Sequence, residues 1–558
     1  MRVLFASGID GFCHRYAVLH WAEQLATQGI PNTVRAHSDP RLVADLVNHE
    51  LLVLYRVPWS TWIAHLAERA RAHGRAVVFA VDDLIIDSEI RDAPPTRRMS
   101  PAERRLWNDG VTRYRRTLLE ADAALVTSMP LVEVVRSAGK PAYLHRAGLA
   151  AGELALAASA ARERGRASDY QARTNGRESV RLGYFSGTPT HDDDFATIAP
   201  TLAALMRSTH GVELVIGGAL AIDPSLGDLA HRITRLPLVP WPELPALIAD
   251  TDVALAPLEW QHPFVAAKGA IKYLEAAAVG VPTVASPTEA FRYAIEPGTN
   301  GLLAADAGEW RQTLVSVVHD PALRQRLGSA AYADVRCRFG PDRQALELAR
   351  SFEEIVRMHA RPAIVDAAEP LDELALVRAF PGEVARRARE PHGLPGCAIT
   401  ELDAITPPLA DGVTLSQSFV ATYDGLTRVD VHSITYGLAL DHVLTVRVQD
   451  DDGTTVADRT IPAGLAPDRD WIAVEFPPQA RSAGRRYRIE LEAHGTGPRN
   501  ALSFACTEHA AATEPYAIGG QVAHASLGLR TFAAEPAGVN DATRAPGRSG
   551  PTHVAADS

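Results

Sequence analysis

Over the first 360 residues, short apolar runs alternate with amphipathic stretches that close on glycine, and this alternation restricts the fold more than any single motif. Val3 to Ala6 reads as a strand, and Tyr16 to Gln28 as a helix stopped by Gly29. Leu51 to Tyr55 is a strand, Thr61 to His73 a helix stopped by Gly74, and Val77 to Val81 a strand. Ala102 to Glu120 is helical and Ala123 to Thr127 a strand. Strands buried on both faces and separated by helices predict a parallel sheet covered on both sides. In such sheets ligands bind beyond the carboxyl ends of the strands. The pattern restarts near Val180, with strands at Arg181–Phe185, Val212–Ile216 and Val253–Ala256 and helices at Phe195–Ser208 and Leu244–Ala249. Helices near 307–319, 322–336 and 341–358 complete this second unit.

The second unit contains the chain's densest chemistry, the run from Lys268 to Ser286. It predicts a helix, a stop at Gly280, a turn at Pro282 and a buried strand from Thr283. Lys268, Lys272 and Glu275 are spaced four and then three apart, which places them on one helical face. Two cations and a carboxylate beside a strand end suit a phosphate-bearing ligand with sugar hydroxyls. A solvated face with an intrahelical ion pair is the alternative.

Other candidates cluster at predicted strand ends. Gly8, Gly11 and the segment Cys13-His14-Arg15-Tyr16 form the first strand-to-helix turn, where amides and a helix N-terminus can approach an anion. Ser186-Gly187-Thr188 follows the first strand of the second unit and can present amides and hydroxyls to a diphosphate. His191 precedes Asp192, Asp193 and Asp194, which read as helix caps or, less simply, as a metal cluster. Gly218 lies in a turn after Val212–Ile216, and Trp241 precedes Leu244–Ala249, as a base-stacking ring or as core. Asp82-Asp83 ends the strand Val77–Val81, as an acceptor-orienting carboxylate or as a turn; His145-Arg146 ends the first unit, near the hinge.

The Lys268–Ser286 run resembles the donor-site signature of GT-B glycosyltransferases, especially glycosyltransferase family 4 (glycosyl transferases group 1). That resemblance implies two Rossmann-like domains facing a cleft, with the last helix crossing back onto the first domain. It implies a nucleotide-sugar substrate, with no cofactor and no metal required. Lys268 and Arg15 would be the cations at the diphosphate and Glu275 the ribose carboxylate. Asp83 would orient the acceptor. Gly11, Ser186, Gly187, Thr188, His191, Gly218, Trp241, Lys272 and Ser286 would line the donor site. The family's usual pattern has a first glutamate eight residues before the second; here that position is Ala267.

The implied domains are 1–150 (acceptor side), 180–360 (nucleotide-sugar side) and linkers at 151–179 and 361–395. From residue 396 the periodicity becomes two, at Leu415–Phe419, Val429–Val431, Leu444–Val448, Ile472–Phe476 and Tyr487–Leu491. These runs predict a jelly-roll-like β-sandwich over 396–535. The tail 536–558 lacks aromatic residues, Leu and Ile and is expected to be disordered.

Composition removes other classes. The formal net charge of −11 disfavours a general nucleic-acid binder. Four scattered cysteines lack metal-ligand spacing and suit reduced thiols, with a Cys397–Cys506 bridge left open. No run reaches the roughly 18 apolar residues of a membrane span. Cytoplasmic localisation is expected, with peripheral contact to the inner membrane as an alternative, and the resemblance implies an acceptor that is a glycan or a lipid-linked oligosaccharide. Neither unit has a Gly-x-Gly-x-x-Gly turn, which disfavours a dinucleotide enzyme.

Overall fold

The computed structural model describes residues 1–533 except 88–89, 91–92, 174–178, 188–190, 219, 365–371, 381–382, 385–393, 400–401, 403, 437, 439, 468–469, 498–499, 508–514 and 524. The expectations for Thr188 and for the tail 536–558 therefore lie outside the described residues.

The first unit is a six-stranded parallel sheet of β1 (Val3–Ser7), β2 (Asn32–Ala36), β3 (Leu51–Tyr55), β4 (Ala76–Val81), β5 (Ala123–Val126) and β6 (Ala142–Leu144), in the order β2-β1-β3-β4-β5-β6. Every residue of β1, β3, β4 and β5 is buried, which explains their unbroken apolar sequence. The second unit is a six-stranded parallel sheet of β7 (Val180–Ser186), β8 (Val212–Gly218), β9 (Ile233–Leu236), β10 (Val253–Ala256), β11 (Thr283–Ala285) and β12 (Leu302–Leu303). Its order, β12-β11-β10-β7-β8-β9, reverses direction between β7 and β10. That switch point opens a crevice at the strand ends.

Several elements differ from the sequence reading. The first helical segment begins at Phe12 rather than Tyr16, and Arg15–Leu19 forms a π-turn before the α-helix resumes over His20–Thr27. π-turns are uncommon and concentrate at functional sites. The predicted helix Phe195–Ser208 is divided into Asp192–Ala196 and Ala199–Ser208. Segment 151–179, expected as a linker, contains the helix Ala151–Arg173. The helix Pro341–His359 crosses back: its Leu348, Phe352 and Ile355 join the first unit's core, with Phe352 and Phe5 ring centroids 6.2 Å apart.

All five alternating runs beyond residue 396 are strands, within Thr414–Val420, Leu426–Ile434, Val443–Asp450, Asp470–Gln479 and Arg486–His494. They belong to two antiparallel sheets, one containing Leu426–Ile434 and Asp470–Gln479, the other Thr414–Val420, Val443–Asp450 and Arg486–His494. Val429, Val431 and Val474 of the first meet Leu444, Val446 and Leu491 of the second in one core. Alternation was readable because each strand buries one face only. The exposed strand Thr455–Pro462 has no such stripe and escaped the sequence reading. Cys397 and Cys506 are not joined by a disulfide.

The stretch 361–395 is more than a tether. Helix Glu373–Ala379 and the residues after it bring Leu376, Phe380 and Val384 onto the first unit's core, where Phe380 lies 5.4 Å from Trp62. The Glu383 carboxylate accepts from the Trp62 amide and the Thr61 hydroxyl at 2.8 Å each. Truncation after residue 364 should therefore cost about 3 kcal/mol, the scale for exposing one or two such side chains. Truncation after residue 390 should melt near the full chain's first-unit transition and keep its ligand binding. Identical melting of the two truncations would show that the 373–384 segment contributes nothing.

Candidate functional site

The two sheets point their carboxyl ends at one cavity of about 680 Å³, within the range of small-molecule sites. Its walls come from both units. The first contributes residues after β1, β3, β4 and β5, among them Tyr16, Arg56, Asp83 and Thr127. The second contributes Ser186, Gly187, His191, Gly217, Gly218, Lys268, Lys272 and Glu275.

Glycine is needed where strands β7 and β8 end. Gly218 has φ +86°, and a Cβ there would lie 2.0 Å from the Ser186 carbonyl oxygen. A Cβ on Gly187 would sit 3.3 Å from the Phe12 ring of the first unit. The backbone of this turn thus runs directly along the cavity wall.

The basic pole is assembled by Asp194. This buried carboxylate accepts from the Glu259 amide at 2.9 Å through Oδ1. Its Oδ2 lies 2.9 Å from His191 Nδ1 and 3.2 Å from Lys268 Nζ. Burial pushes the Asp194 carboxyl up, but His191, Lys268 and the Glu259 amide outweigh it and hold it below the usual range. Burial lowers His191, with the two lysines adding to the effect and Asp194 opposing it. Asp194 therefore fixes both Lys268 and His191 where they face the cavity. It is buried rather than an exposed cap. Asp192 and Asp193 have another role: Arg98 reaches Asp192 at 2.6 Å and Arg97 reaches Glu259 at 2.7 Å, with Asp193 between them, so the first unit is ion-paired to the second across the cleft mouth.

Lys268 is not on the helix that carries Lys272 and Glu275. That helix is Ile271–Ala278; Lys268 lies in the turn after the short helix Pro263–Ala266. The three side chains still converge, through the turn rather than through one helical face. Lys272 donates to the Phe185 carbonyl at the end of β7 and lies 4.9 Å from the centre of the Tyr184 ring. Burial lowers its ammonium to about 8. Glu275 accepts a hydrogen bond from the Tyr16 hydroxyl, which crosses from the first unit. Burial raises the Glu275 carboxyl, with Tyr16 and Lys272 opposing the shift. Its partner in the structure is therefore Tyr16, not an ion pair with Lys272 alone. Ala267 is fully buried, and its carbonyl accepts from Ser128 at 2.7 Å.

On the opposite wall, Arg56 donates to Asp82 and, at 2.6 Å, to Asp83. Burial raises the Asp82 carboxyl against the pull of Arg56. Arg56 has φ 45°, a left-handed conformation that non-glycine residues rarely adopt and that concentrates at functional sites.

Four expected residues stand off the cavity wall. Arg15 lies over the Trp241 ring at 3.6 Å and 3.5 Å from Glu23, outside the cavity lining. Trp241 instead borders a much smaller void with Tyr16, Glu153 and Glu275. Gly11, at φ +83°, shapes the turn into Phe12 without lining the cavity. The Ser286 hydroxyl accepts from the Leu258 amide at 2.9 Å and is fully buried. Arg146 pairs with Glu289 and stacks on Tyr293 at 3.9 Å, joining the two units behind the site. Among the described residues, the one group of three side chains placed to share a metal ion is Asp450, Asp451 and Asp452, in the β module and bridged by Arg485.

Sequence reasoning missed Tyr16 as a partner of Glu275, Arg56 and the central role of Asp194. Each acts through a residue distant in the chain, and no local spacing encodes such a contact.

Residues 181–320 match the family model described as glycosyl transferases group 1. That span runs from β7 through Lys268, Lys272 and Glu275 to the end of the helix Ala307–His319. The chain thus pairs a unit similar to glycosyl transferases group 1 with a second Rossmann-like unit, and an all-β module follows. Among solved structures, it is similar to sucrose-phosphate synthase from Thermosynechococcus elongatus, with 17% identity, a TM-score of 0.44 and coverage of 64% of this chain and 99% of that one. It is similar to Anabaena HepE in complex with UDP, with 17% identity, a TM-score of 0.44 and coverage of 63% and 100%. A mutant of S. aureus TarM in complex with fondaparinux, alpha-GlcNAc-glycerol and UDP gives 9% identity, a TM-score of 0.38 and coverage of 56% and 58%. No curated protein matches the chain.

Proposed function

We propose that this protein is a nucleotide-sugar-dependent glycosyltransferase that moves a hexosyl or deoxyhexosyl unit to a glycan or lipid-linked acceptor, with retention of configuration, in surface polysaccharide synthesis. The observation that carries this reading is the convergence of Lys268, His191, Lys272 and Glu275 with the Ser186–Gly187 and Gly218 backbone on one cavity between two Rossmann-like units. Its family match supplies the reaction class.

The residues divide the work by charge. Negative charge builds on the leaving diphosphate as the glycosidic bond breaks, and fixed cations stabilise it most when they need no reorganisation. Asp194 holds Lys268 in place for this, and Lys272 stands next to the β7 strand end. Glu275 would take the ribose hydroxyls, using the oxygen sites that Tyr16 now addresses. Asp83, with Arg56 behind it, would orient the acceptor hydroxyl from the opposite wall. Closure by the Arg97 and Arg98 ion pairs would exclude water and limit donor hydrolysis. In this scheme the donor is substrate, and neither cofactor nor metal has a role. No helix among the described residues is long and apolar enough to cross a membrane. We place the protein in the cytoplasm, peripheral to the inner membrane where its acceptor is lipid-linked.

Ala267 favours a second reading, a non-catalytic glycan-binding or assembly protein. With a buried methyl where the family has a carboxylate, the donor sugar loses one partner. A panel of nucleotide sugars, with products read by mass and anomeric configuration by NMR, separates the two. Transfer with retained configuration supports the proposal; an inverted product contradicts its stereochemistry, and no product from any donor favours the second reading.

Glu275→Gln should weaken nucleoside diphosphate binding by roughly tenfold, the cost of exchanging a charge-assisted hydrogen bond for a neutral one. A 2′,3′-dideoxynucleotide should bind the wild type poorly and the variant no worse. If the wild type binds ribo- and dideoxynucleotide equally by calorimetry, Glu275 does not hold the ribose.

A further inference from the structure

Behind the basic pole, two side chains of the first unit each meet a carboxyl. The π-turn Arg15–Leu19 and the helix after it carry Tyr16 and His20, four positions apart, with ring centroids 5.3 Å apart edge to face. Tyr16 donates its hydroxyl to Glu275 of the helix Ile271–Ala278. His20 faces Glu153, in the first turn of the helix Ala151–Arg173. That helix packs on the second unit: its Ala157 and Ala160 share a core with Ile248, Leu274 and Ala278. The two pairs therefore join one unit to the other directly beside Glu275.

The His20–Glu153 pair lacks a hydrogen unless one group carries an extra proton. His20 Nδ1 is 3.1 Å from the Gly148 carbonyl oxygen, which can only accept, so Nδ1 holds the ring hydrogen. Nε2 then turns a lone pair to Glu153 Oε2, 3.4 Å away. Both atoms are buried, and neither has a hydrogen-bond partner among the described residues. Two facing acceptors repel, and one proton between them makes the contact attractive. Burial and then the Arg15 charge lower His20 to about 3, against the Gly148 carbonyl, so the ring does not supply it. Burial and then the Glu275 charge raise Glu153 to about 8; Glu23 adds to this, and Arg15 and the Ala150 amide oppose it.

Glu153 and Glu275 also line one void with Tyr16 and Trp241. Its volume is about 10 Å³, roughly the room of one water molecule. Two like charges around so small a space are costly, and one carboxyl keeps a proton. The partners decide which. Tyr16 offers Glu275 a hydrogen and Lys272 offers it a cation, whereas His20 offers Glu153 a lone pair. We propose that Glu153 is a positioning residue for the donor site, holding the proton of this carboxyl pair against His20 Nε2. Glu275 is thereby left as the anion that receives the ribose hydroxyls. This inference rests on the glycosyltransferase reading and adds to it a residue outside the main cavity. A helix cap, made through the Ala150 amide alone, would need no proton on Glu153.

Infrared difference spectra of the full chain at pH 6, without ligand, locate the proton. The carbonyl stretch of an un-ionised carboxylic acid should disappear in Glu153→Gln and persist in Glu275→Gln. Its loss in Glu275→Gln, or in neither variant, would overturn the proposal. Calorimetry with UDP, GDP, ADP, dTDP and CDP in turn reads the consequence for the site. Glu153→Leu, close in volume but without a donor, should weaken binding roughly fivefold or more, the scale for leaving the buried His20 acceptor unpaired. Glu153→Gln, whose amide can donate to Nε2, should recover affinity to within about twofold of wild type. A leucine variant that binds like wild type would overturn the positioning role. So would a glutamine variant more than fivefold weaker than wild type, whether or not the leucine variant folds. If the wild type binds none of the five nucleotides, the transferase reading fails, while the infrared spectra still decide where the proton is held.

Discussion

Lys268→Ala should lower sugar transfer by ~10²-fold or more while leaving the chain folded, the loss expected when one preorganised charge stabiliser is removed from a developing anion. The geometry makes Lys268 suited to this. Its Nζ is 3.2 Å from a carboxylate that is itself fixed by the Glu259 amide and by His191. The ammonium is thus pinned before substrate arrives and needs no rearrangement as charge builds on the diphosphate. The alanine variant leaves Asp194 with His191 and the Glu259 amide, so the structural loss is small. Transfer rates alongside melting temperatures decide the matter. A variant that transfers like the wild type would remove Lys268 from the diphosphate, and one that fails to fold would make it a structural residue.

Nucleoside diphosphate affinity should fall as pH rises above about 8. In the empty site burial lowers Lys272 to about 8, so its ammonium is present below that value and is lost above it. A bound diphosphate restores the charged form. Binding near pH 9 should therefore take up close to one proton per site, and affinity should drop by up to tenfold for each pH unit until the ligand-bound lysine also deprotonates. Calorimetry in two buffers of different ionisation enthalpy measures the uptake directly. Unfolding through this group cannot imitate the effect. The native lysine binds fewer protons than the unfolded one, whose pKa is ~10.4, so its contribution to stability rises with pH across this interval. Lys272→Arg, which stays charged, should flatten the profile. A wild-type affinity that is constant from pH 7 to 9.5 would place Lys272 away from the diphosphate.

The parts of this molecule that were readable from sequence are those set by neighbours in the chain. Strands β1, β3 and β4 are unbroken apolar runs because both faces are covered. The β module alternates because each strand buries one face. The Lys268–Ser286 run carried its own helix, stop and strand, with the helix displaced to Ile271 because Lys268 and Gly269 serve the preceding turn. What could not be read are contacts closed by the fold. Tyr16 reaches Glu275 over 259 positions, and Asp194 reaches Lys268 over 74. Arg15 carries the right charge in the right loop, yet the π-turn delivers it to Trp241 instead of the cavity. Helix Glu373–Ala379 has too few residues to show a period, although Leu376, Phe380 and Val384 join the core that holds Trp62. Arg56 gave no signal at all, because its importance lies in a backbone conformation imposed by the strand end it terminates.

The central claim is that the cavity between the two α/β units holds a nucleoside diphosphate through its basic pole. The most direct test is thermal stabilisation of the full chain by a panel of UDP, GDP, ADP, dTDP and CDP, repeated with Lys268→Ala. One nucleotide should raise the melting temperature of the wild type and lose most of that effect in the variant. No stabilisation by any of them, or equal stabilisation of wild type and variant, would contradict the account.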